Sequence, residues 1–562
     1  MLEAGRFRLL VGALALWAVL VVARLGQLQL VQHADWRNEA EGQSERIRKI
    51  TEARGDIRTR DGRLLAGSLA SVSICANPSR IPRAQWPRLA SELAPLAGLS
   101  PAQILQRFHD ENGFIVLARG LDPDVANDVA RLRQRGVWTE RTETRAYPNE
   151  SLAGPVVGFV DADGVGQAGL ERFYDKTLAG VPSEYRLLCD GKTLPTAIDL
   201  RLEKAGRPGR SLVLAIDSRV QLVAEEELAR MLDEVGGASA AAVVMDPTTG
   251  ELFAVASAPG YDPAHPGAVP AAMRRNHAVE DAIEPGSVFK PIVVSAGLSS
   301  GVLEPSELVD CSGGGVEVAG VFMHDHASYG LLPVTEVIAQ SSNAGAIRIA
   351  YRISAAPLDA MIRAFGFGDR TGVELPGETR GLYRGPRWWS ALSRAGLALG
   401  EEITVSTVQV AQAYAAFANG GRLVHPRLVL ETLEPDGTTV TPYRPGAGEQ
   451  VISPTIARQV SAMLEAVVDH GTGGTAAVPG YRVAGKTGTA QKATDGVLRG
   501  GHHASWFAGF FPVERPRFVI VVCVDQPRAT YWAADVAAPV FGRIAARLVT
   551  LYGLAPTVGT SA

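Results

Sequence analysis

Apolar positions along this chain fall into three successive patterns. The first is one uncharged run, Leu9 to Ala23, with Arg6-Phe7-Arg8 before it and Arg24 after it. That core is short for a membrane span; Leu25, Leu28 and Leu30 lengthen it if Arg24 snorkels to the interface. The leading arginines predict a cytoplasmic N-terminus. A cleaved signal peptide and a buried helix of a soluble domain are the rivals. No A-x-A site follows the run, and its extreme N-terminal place between arginines is unlike a core helix. Residues 1–31 are therefore expected to be a cytoplasmic tail and an uncleaved anchor, with the remaining chain outside the cytoplasmic membrane.

The second pattern, about 36–210, alternates short strand-like runs such as Ser71-Val72-Ser73-Ile74-Cys75 with helical stretches at Pro101 to His109 and Asp122 to Arg135. The charges of Arg141-Thr142-Glu143-Thr144-Arg145 read as a solvated strand face, and Lys204 to Arg210 as a linker. No catalytic constellation appears here; a spacer or docking module is expected. The third pattern, 211–555, opens on a strand at Ser211 to Ile216 and a helix from Ser218 to Leu232. Ala240 to Met245 then pairs as a hairpin with Glu251 to Ser257 across Asp246-Pro247-Thr248-Thr249-Gly250. Helical stretches dominate from Ser287 to about Asn419. Strands follow at Ser505 to Phe511 and Arg517 to Val524, and a helix closes the unit from Ala534 to Tyr552. Strands, helices, strands and a helix predict an α+β fold: a mixed antiparallel sheet with a helical subdomain, not a doubly wound parallel sheet.

Composition narrows the function. At 562 residues, two or three domains are expected. A net charge of −4 supplies no overall basic field for nucleic acid. Cys75, Cys189, Cys311 and Cys523 show no metal spacing and no disulfide framework; a Cys75–Cys189 pair stays open. His324-Asp325-His326 has no further ligands nearby in sequence, so a loop or helix start is expected there, and no metal or other cofactor.

Chemistry enters through the lysines, which number seven against 48 arginines. One of them completes the chain's single S-x-x-K, Ser287-Val288-Phe289-Lys290, after Glu284-Pro285-Gly286. Residues three apart share a helix face, and Pro-Gly suits a turn into a helix start, where backbone N–H groups favour developing negative charge. A serine hydroxyl needs a base to become a nucleophile, and a lysine is one only if burial or a nearby positive charge lowers its pKa. The chain has one S-x-N, Ser341-Ser342-Asn343, and one K-T-G, Lys486-Thr487-Gly488, followed by Thr489. This trio, in this order, resembles the S-x-x-K, S-D-N and K-T-G set of penicillin-binding proteins and class A β-lactamases, with Ser342 in place of the middle Asp.

The motifs, their order and the anchor resemble the class B penicillin-binding proteins, membrane-anchored D,D-transpeptidases that cross-link peptidoglycan. The resemblance covers most of the chain. Arg54-Gly55-Asp56-Ile57 with Arg60-Asp61-Gly62-Arg63-Leu64-Leu65-Ala66 is similar to the family's opening signature, although Thr59 stands where Asp is common. Gly166 to Glu171 resembles its G-x-x-G-L-E element, and Thr404 to Gly421 a stretch ahead of K-T-G. Arg145-Ala146-Tyr147-Pro148-Asn149 and Gly485 to Lys492 look most like the division branch, FtsI and its sporulation relatives; the elongation branch often carries K-S-G.

The resemblance implies a penicillin-binding transpeptidase fold behind an elongated α+β dimerisation or pedestal domain. It implies Ser287 as nucleophile and Lys290 as its base, kept neutral by burial and by Lys486. Ser341 would pass a proton to the leaving amine, and Asn343 would orient Lys290 and bind the substrate amide. Lys486, Thr487, Gly488 and Thr489 would hold the terminal carboxylate, with an oxyanion hole from the N–H groups of Ser287 and Thr489. Stem peptides, β-lactams, a glycan polymerase of the SEDS family and other division proteins are the implied partners. A β-lactamase would usually be a shorter secreted domain with a deacylating base. A carboxypeptidase fits the N-terminal signatures poorly. A non-catalytic scaffold would be free to lose Ser287 or Lys290, and a sensor should carry several spans.

Overall fold

The computed structural model describes residues 2–33, 45–110, 113–189, 195–442, 446–494 and 497–557. It divides into two units, Met1–Ala53 with Gly180–Pro208, and Arg54–Ala179 with Gly209–Ala562.

In the first unit the opening apolar run forms the helix Leu2–Gly26, extended by a wider turn at Gln27–Val31. Among the described residues it is the one helix long and apolar enough to cross a membrane, with Phe7–Val31 as the span. Its leucines and valines from Leu9 to Leu25 face outward, as a lipid-facing helix requires. Arg24 donates to Gln27 Oε1 at 2.8 Å, so its charge is held one turn further along. The unit also contains a three-stranded antiparallel sheet of Glu45–Ile50, Ser183–Cys189 and Pro195–Lys204. The side chain of Cys189, and with it the question of a pair with Cys75, lies outside the described residues.

The second unit is built on a five-stranded sheet, wholly antiparallel, in the order Leu252–Ala258, Ser239–Met245, Phe518–Asp525, Val497–Phe511, Ala484–Thr494. Its central strands are Ala- and Val-rich and buried at every position, because both faces are covered. Side chains alternate between two cores with period two. Ala240, Ala242 and Val244 pack with Val220, Leu228 and Phe541 of the helices Ser218–Val235 and Ala537–Tyr552. Ala241, Val243 and Met245 face the other core, with Ile292, Val293, Val408 and Ala411 of the helical subdomain.

The helical reading of 287–419 is interrupted by a hairpin, Gly315–Val318 with Val321–His324. Its two-residue turn, Ala319-Gly320, has positive φ at both positions (49° and 81°), the geometry that matches strand twist. The helix expected over Asp122 to Arg135 shortens to Val125–Arg131, since Arg133 and Gly136 both take positive φ.

A second sheet joins Ser211–Leu214 to Val429–Leu433 on one side and, in parallel, to Ile57–Arg58 on the other; Leu64–Ala76, Ile115–Leu121 and Val137–Ala146 continue it. Arg145 departs from the solvated face expected of its strand: 4% of its side chain is exposed, and it pairs with the fully buried Glu171 at 2.6 Å. Arg54 reaches the other Glu171 oxygen at 2.6 Å and Asp175 at 2.8 Å. The three N-terminal signatures thus converge on one buried carboxylate, an arrangement that tolerates loss of neither partner. Asp61 accepts from the backbone and hydroxyl of Ser218 (2.9 and 2.6 Å), fastening the start of the Ser218–Val235 helix. Thr59, in the place of the more common Asp, accepts from Arg63 N at 3.0 Å and closes the same turn.

Candidate active site

Ser287 sits in a single turn of 3₁₀ helix, Gly286–Phe289, that runs directly into the α-helix Lys290–Ser299. In a 3₁₀ turn residues three apart eclipse, so Ser287 and Lys290 lie one above the other. The turn is pinned by two distant aromatics: Tyr414 donates to Val288 O at 2.8 Å and Trp506 Nε1 to Glu284 O at 3.0 Å. The edge strand Ala484–Thr494 comes against it backbone to backbone. A Cβ on Gly488 would stand 2.7 Å from Pro285 O, and one on Gly286, which has φ +57°, 3.0 Å from Thr489 O. Only glycine permits that approach.

Lys290 is fully buried and its amine turns to the S-x-N segment. Nζ lies 2.6 Å from Ser341 O, 3.3 Å from Ser341 Oγ, 3.3 Å from Ser342 O and 2.9 Å from Asn343 Oδ1. Four acceptors surround a group with three N–H donors at most. Burial nevertheless dominates and pushes the amine down to about 7, with Asp325, Glu401 and Cys311 working against it. Lys486, also fully buried, is held well below the usual lysine range by burial first and by Lys290 second. The two lysines and the S-x-N turn therefore share one enclosed site. Lys486 Nζ lies 3.2 Å from both oxygens of Thr487, and Thr487 Oγ1 is 2.7 Å from Thr472 Oγ1. Thr489 Oγ1 accepts from Ala533 N at 3.3 Å.

Ser341 occupies the left-handed region at φ +59°, an unfavourable conformation for serine that points to an over-determined site. It links the helices Val334–Ala339 and Asn343–Arg352. Asp325 holds that link. Its carboxylate accepts from Ser342 Oγ at 2.5 Å, Asn343 N at 2.9 Å and Ala344 N at 3.1 Å, while His324 O accepts from Asn343 Nδ2 at 3.0 Å. The His-Asp-His triplet thus serves a helix start. The sequence makes the triplet conspicuous but gives no local sign of its link to S-x-N.

All the residues of the three motifs are brought together. Asp325, Tyr414, Trp506, Thr472 and the Tyr531–Ala533 segment were not anticipated. The set comprises a serine one 3₁₀ turn before a buried amine pushed down to about 7, a second buried amine, and threonine hydroxyls on the edge strand of the sheet. That equipment suits attack on a carbonyl adjoining an anionic group.

Comparison with known proteins agrees. Residues 240–546 match the penicillin-binding protein transpeptidase domain, and residues 49–214 the penicillin-binding protein dimerisation domain. The chain is similar to the probable peptidoglycan D,D-transpeptidase PenA of Neisseria gonorrhoeae, at 32% identity over 98% of this chain and 94% of that protein. It is equally similar to the peptidoglycan D,D-transpeptidase FtsI of Escherichia coli strain K12, at 32% identity over 99% and 93%. Among solved structures, penicillin-binding protein 3 of Mycobacterium tuberculosis complexed with aztreonam superposes with a TM-score of 0.71 at 29% identity, covering 92% of this chain and 100% of that one. A peptidoglycan synthetase from Bifidobacterium adolescentis, at 24% identity over 92% and 98%, gives a TM-score of 0.75 and shows the shared fold. With both domains matched in order and relatives of this identity spanning nearly its whole length, the chain belongs to the class B penicillin-binding proteins and is a serine peptidoglycan D,D-transpeptidase.

Proposed function

We propose that this transpeptidase works through an ester on Ser287 and serves septal wall synthesis. Ser287 Oγ attacks the carbonyl between the two terminal D-alanines of a stem peptide, and its proton passes to Lys290 Nζ. The C–N bond breaks, Ser341 delivers a proton to the departing D-alanine amine, and Lys290 returns the proton it took from Ser287 to Ser341 Oγ, 3.3 Å away, so both groups are reset. An amino group of a second stem peptide then attacks the ester, the cross-link forms, and Ser287 recovers its proton. Asn343 orients Lys290 and binds the substrate amide. Lys486, Thr487 and Thr489 receive the terminal carboxylate, Gly488 lets their strand reach the nucleophile, and the N–H groups of Ser287 and Thr489 stabilise the oxyanion. The observation that carries this reading is the buried Lys290 amine at 2.6–3.3 Å from the S-x-N turn, pushed down to about 7.

We divide the chain as its sequence suggests: a tail and anchor at 1–31, a docking module at 36–210 and the catalytic domain at 211–555. The helix Leu2–Gly26 anchors the chain once in the cytoplasmic membrane, N-terminus inside and catalytic domain outside. The module engages a SEDS-family glycan polymerase and other division proteins. β-Lactams acylate Ser287, in keeping with the aztreonam complex of the mycobacterial protein. K-T-G-T and relatives such as FtsI support the division branch over the elongation branch. Imaging a tagged copy in dividing cells tests that choice: a band at midcell is expected, and uniform sidewall signal would refute it.

A further inference from the structure

The groups that handle the reacting bond occupy only part of the cleft. Ala484–Thr494 is the edge of its sheet, so a donor peptide laid along it as an added strand continues past Thr489 toward Gln491. Over that stretch stands a chain of four rings. His503, opposite Gln491 in register, stacks on Tyr531 with centroids 4.1 Å apart and planes 12° apart. Tyr531 packs on Trp532 at 5.0 Å, and Trp532 meets His326 edge-on at 5.6 Å.

The two ends of this chain come from opposite walls. Tyr531 and Trp532 are tied to the strand side, where Ser505 Oγ donates to Tyr531 O at 2.6 Å and Ala533 N to Thr489 Oγ1. His326 belongs to the S-x-N side, directly after Asp325. Trp532 is 46% exposed, so its face is open to a ligand. The part of a donor that precedes the terminal D-alanine pair thus leaves the site beside His326 and Trp532.

The charge around His326 is one-sided. Burial, then Lys290, then Lys486 hold its imidazole below the ordinary histidine range. Asp325 is the one opposing carboxylate, and it is engaged by Ser342, Asn343 and Ala344. The Tyr531–Ala533 segment brings rings and backbone to this corner, with His503 beyond Tyr531. An anion arriving beside Trp532 meets the His326 imidazole and shifts it toward its charged form.

We infer that His326 is a specificity-determining residue of the donor site, receiving a carboxylate carried on the N-terminal side of the D-alanine pair. The proton it gains comes from solvent. This rests on the acyl-serine reading above, which places the donor on the Ala484–Thr494 edge.

The test uses the full chain in detergent and two penicillins that differ in a side-chain carboxylate, carbenicillin and benzylpenicillin. Acylation rate constants are measured from pH 5.5 to 8.5 by competition with a fluorescent penicillin. The carbenicillin-to-benzylpenicillin ratio is expected to fall several-fold as pH rises through the histidine range. His326→Gln should flatten it at the high-pH value, and His326→Arg at the low-pH value. A ratio flat with pH in the wild type, or a slope that survives in His326→Gln, would overturn the inference. No adduct from benzylpenicillin would overturn the acyl-serine reading and this inference with it.

Discussion

In the proposed mechanism Lys290 is the base, and it suits that part because it is both buried and surrounded by acceptors. An exposed lysine would be protonated at neutral pH and useless as a base. Here the acceptors of the S-x-N turn orient the amine, and burial lowers it to about 7. The base form is neutral, so it is populated above that value and lost below it. Acylation of the wild type by benzylpenicillin should therefore fall about tenfold per pH unit below pH 7. Lys290→Arg, whose guanidinium stays charged, should abolish acylation at every pH. A wild-type rate independent of pH between 5 and 7 would remove Lys290 from the role of base. The residue identities at this site were legible because each motif is local: S-x-x-K, S-x-N and K-T-G hold their members within a turn or along a strand. Their environment was not. Tyr414 and Trp506 fasten the turn that carries Ser287 from 126 and 222 residues away and leave no period in the sequence.

At the scale of elements, the site is a meeting of three: a 3₁₀ turn, a strained link between two helices, and a sheet edge. The link is the least self-sufficient, since Ser341 sits at positive φ. Asp325, directly after the hairpin, stabilises it by accepting from the N-cap hydroxyl of Ser342 and from the first two N–H groups of the following helix. Asp325→Ala should lower stability by about 1–2 kcal/mol. It should slow acylation by about 10–100-fold, because a displaced Asn343 or Ser341 misplaces Lys290. Thermal unfolding and benzylpenicillin kinetics on the same preparation separate the two effects; an unchanged rate with lowered stability would limit Asp325 to a structural part. The hairpin had a readable signal, alternating Val316-Glu317-Val318 and Val321-Phe322-Met323 about Ala319-Gly320. It was obscured because the neighbouring helices set the pattern for the whole stretch. Arg145 shows the opposite failure: its charge-rich strand reads as solvated, and only its partner Glu171, 26 residues on, puts it inside.

For the whole molecule, the fold class followed from the order of strand and helix patterns, and the alternation of Ala240 to Met245 between two cores bears it out. The joint between the N-terminal signatures and the catalytic region was not visible in any local pattern. It consists of Ser211–Leu214 lying parallel to Ile57–Arg58 and of Asp61 on the start of the Ser218–Val235 helix. Each is a contact between segments far apart in the chain. The central claim is that this assembled molecule transfers acyl groups through Ser287. Intact mass of the full chain in detergent, with and without benzylpenicillin, measures it most directly, with Ser287→Ala as control. A stable gain of one penicillin on the wild type, absent from Ser287→Ala, is the predicted result. An unmodified wild type beside intact penicillin would contradict the account, and an unmodified wild type beside hydrolysed penicillin would make the protein a β-lactamase in practice.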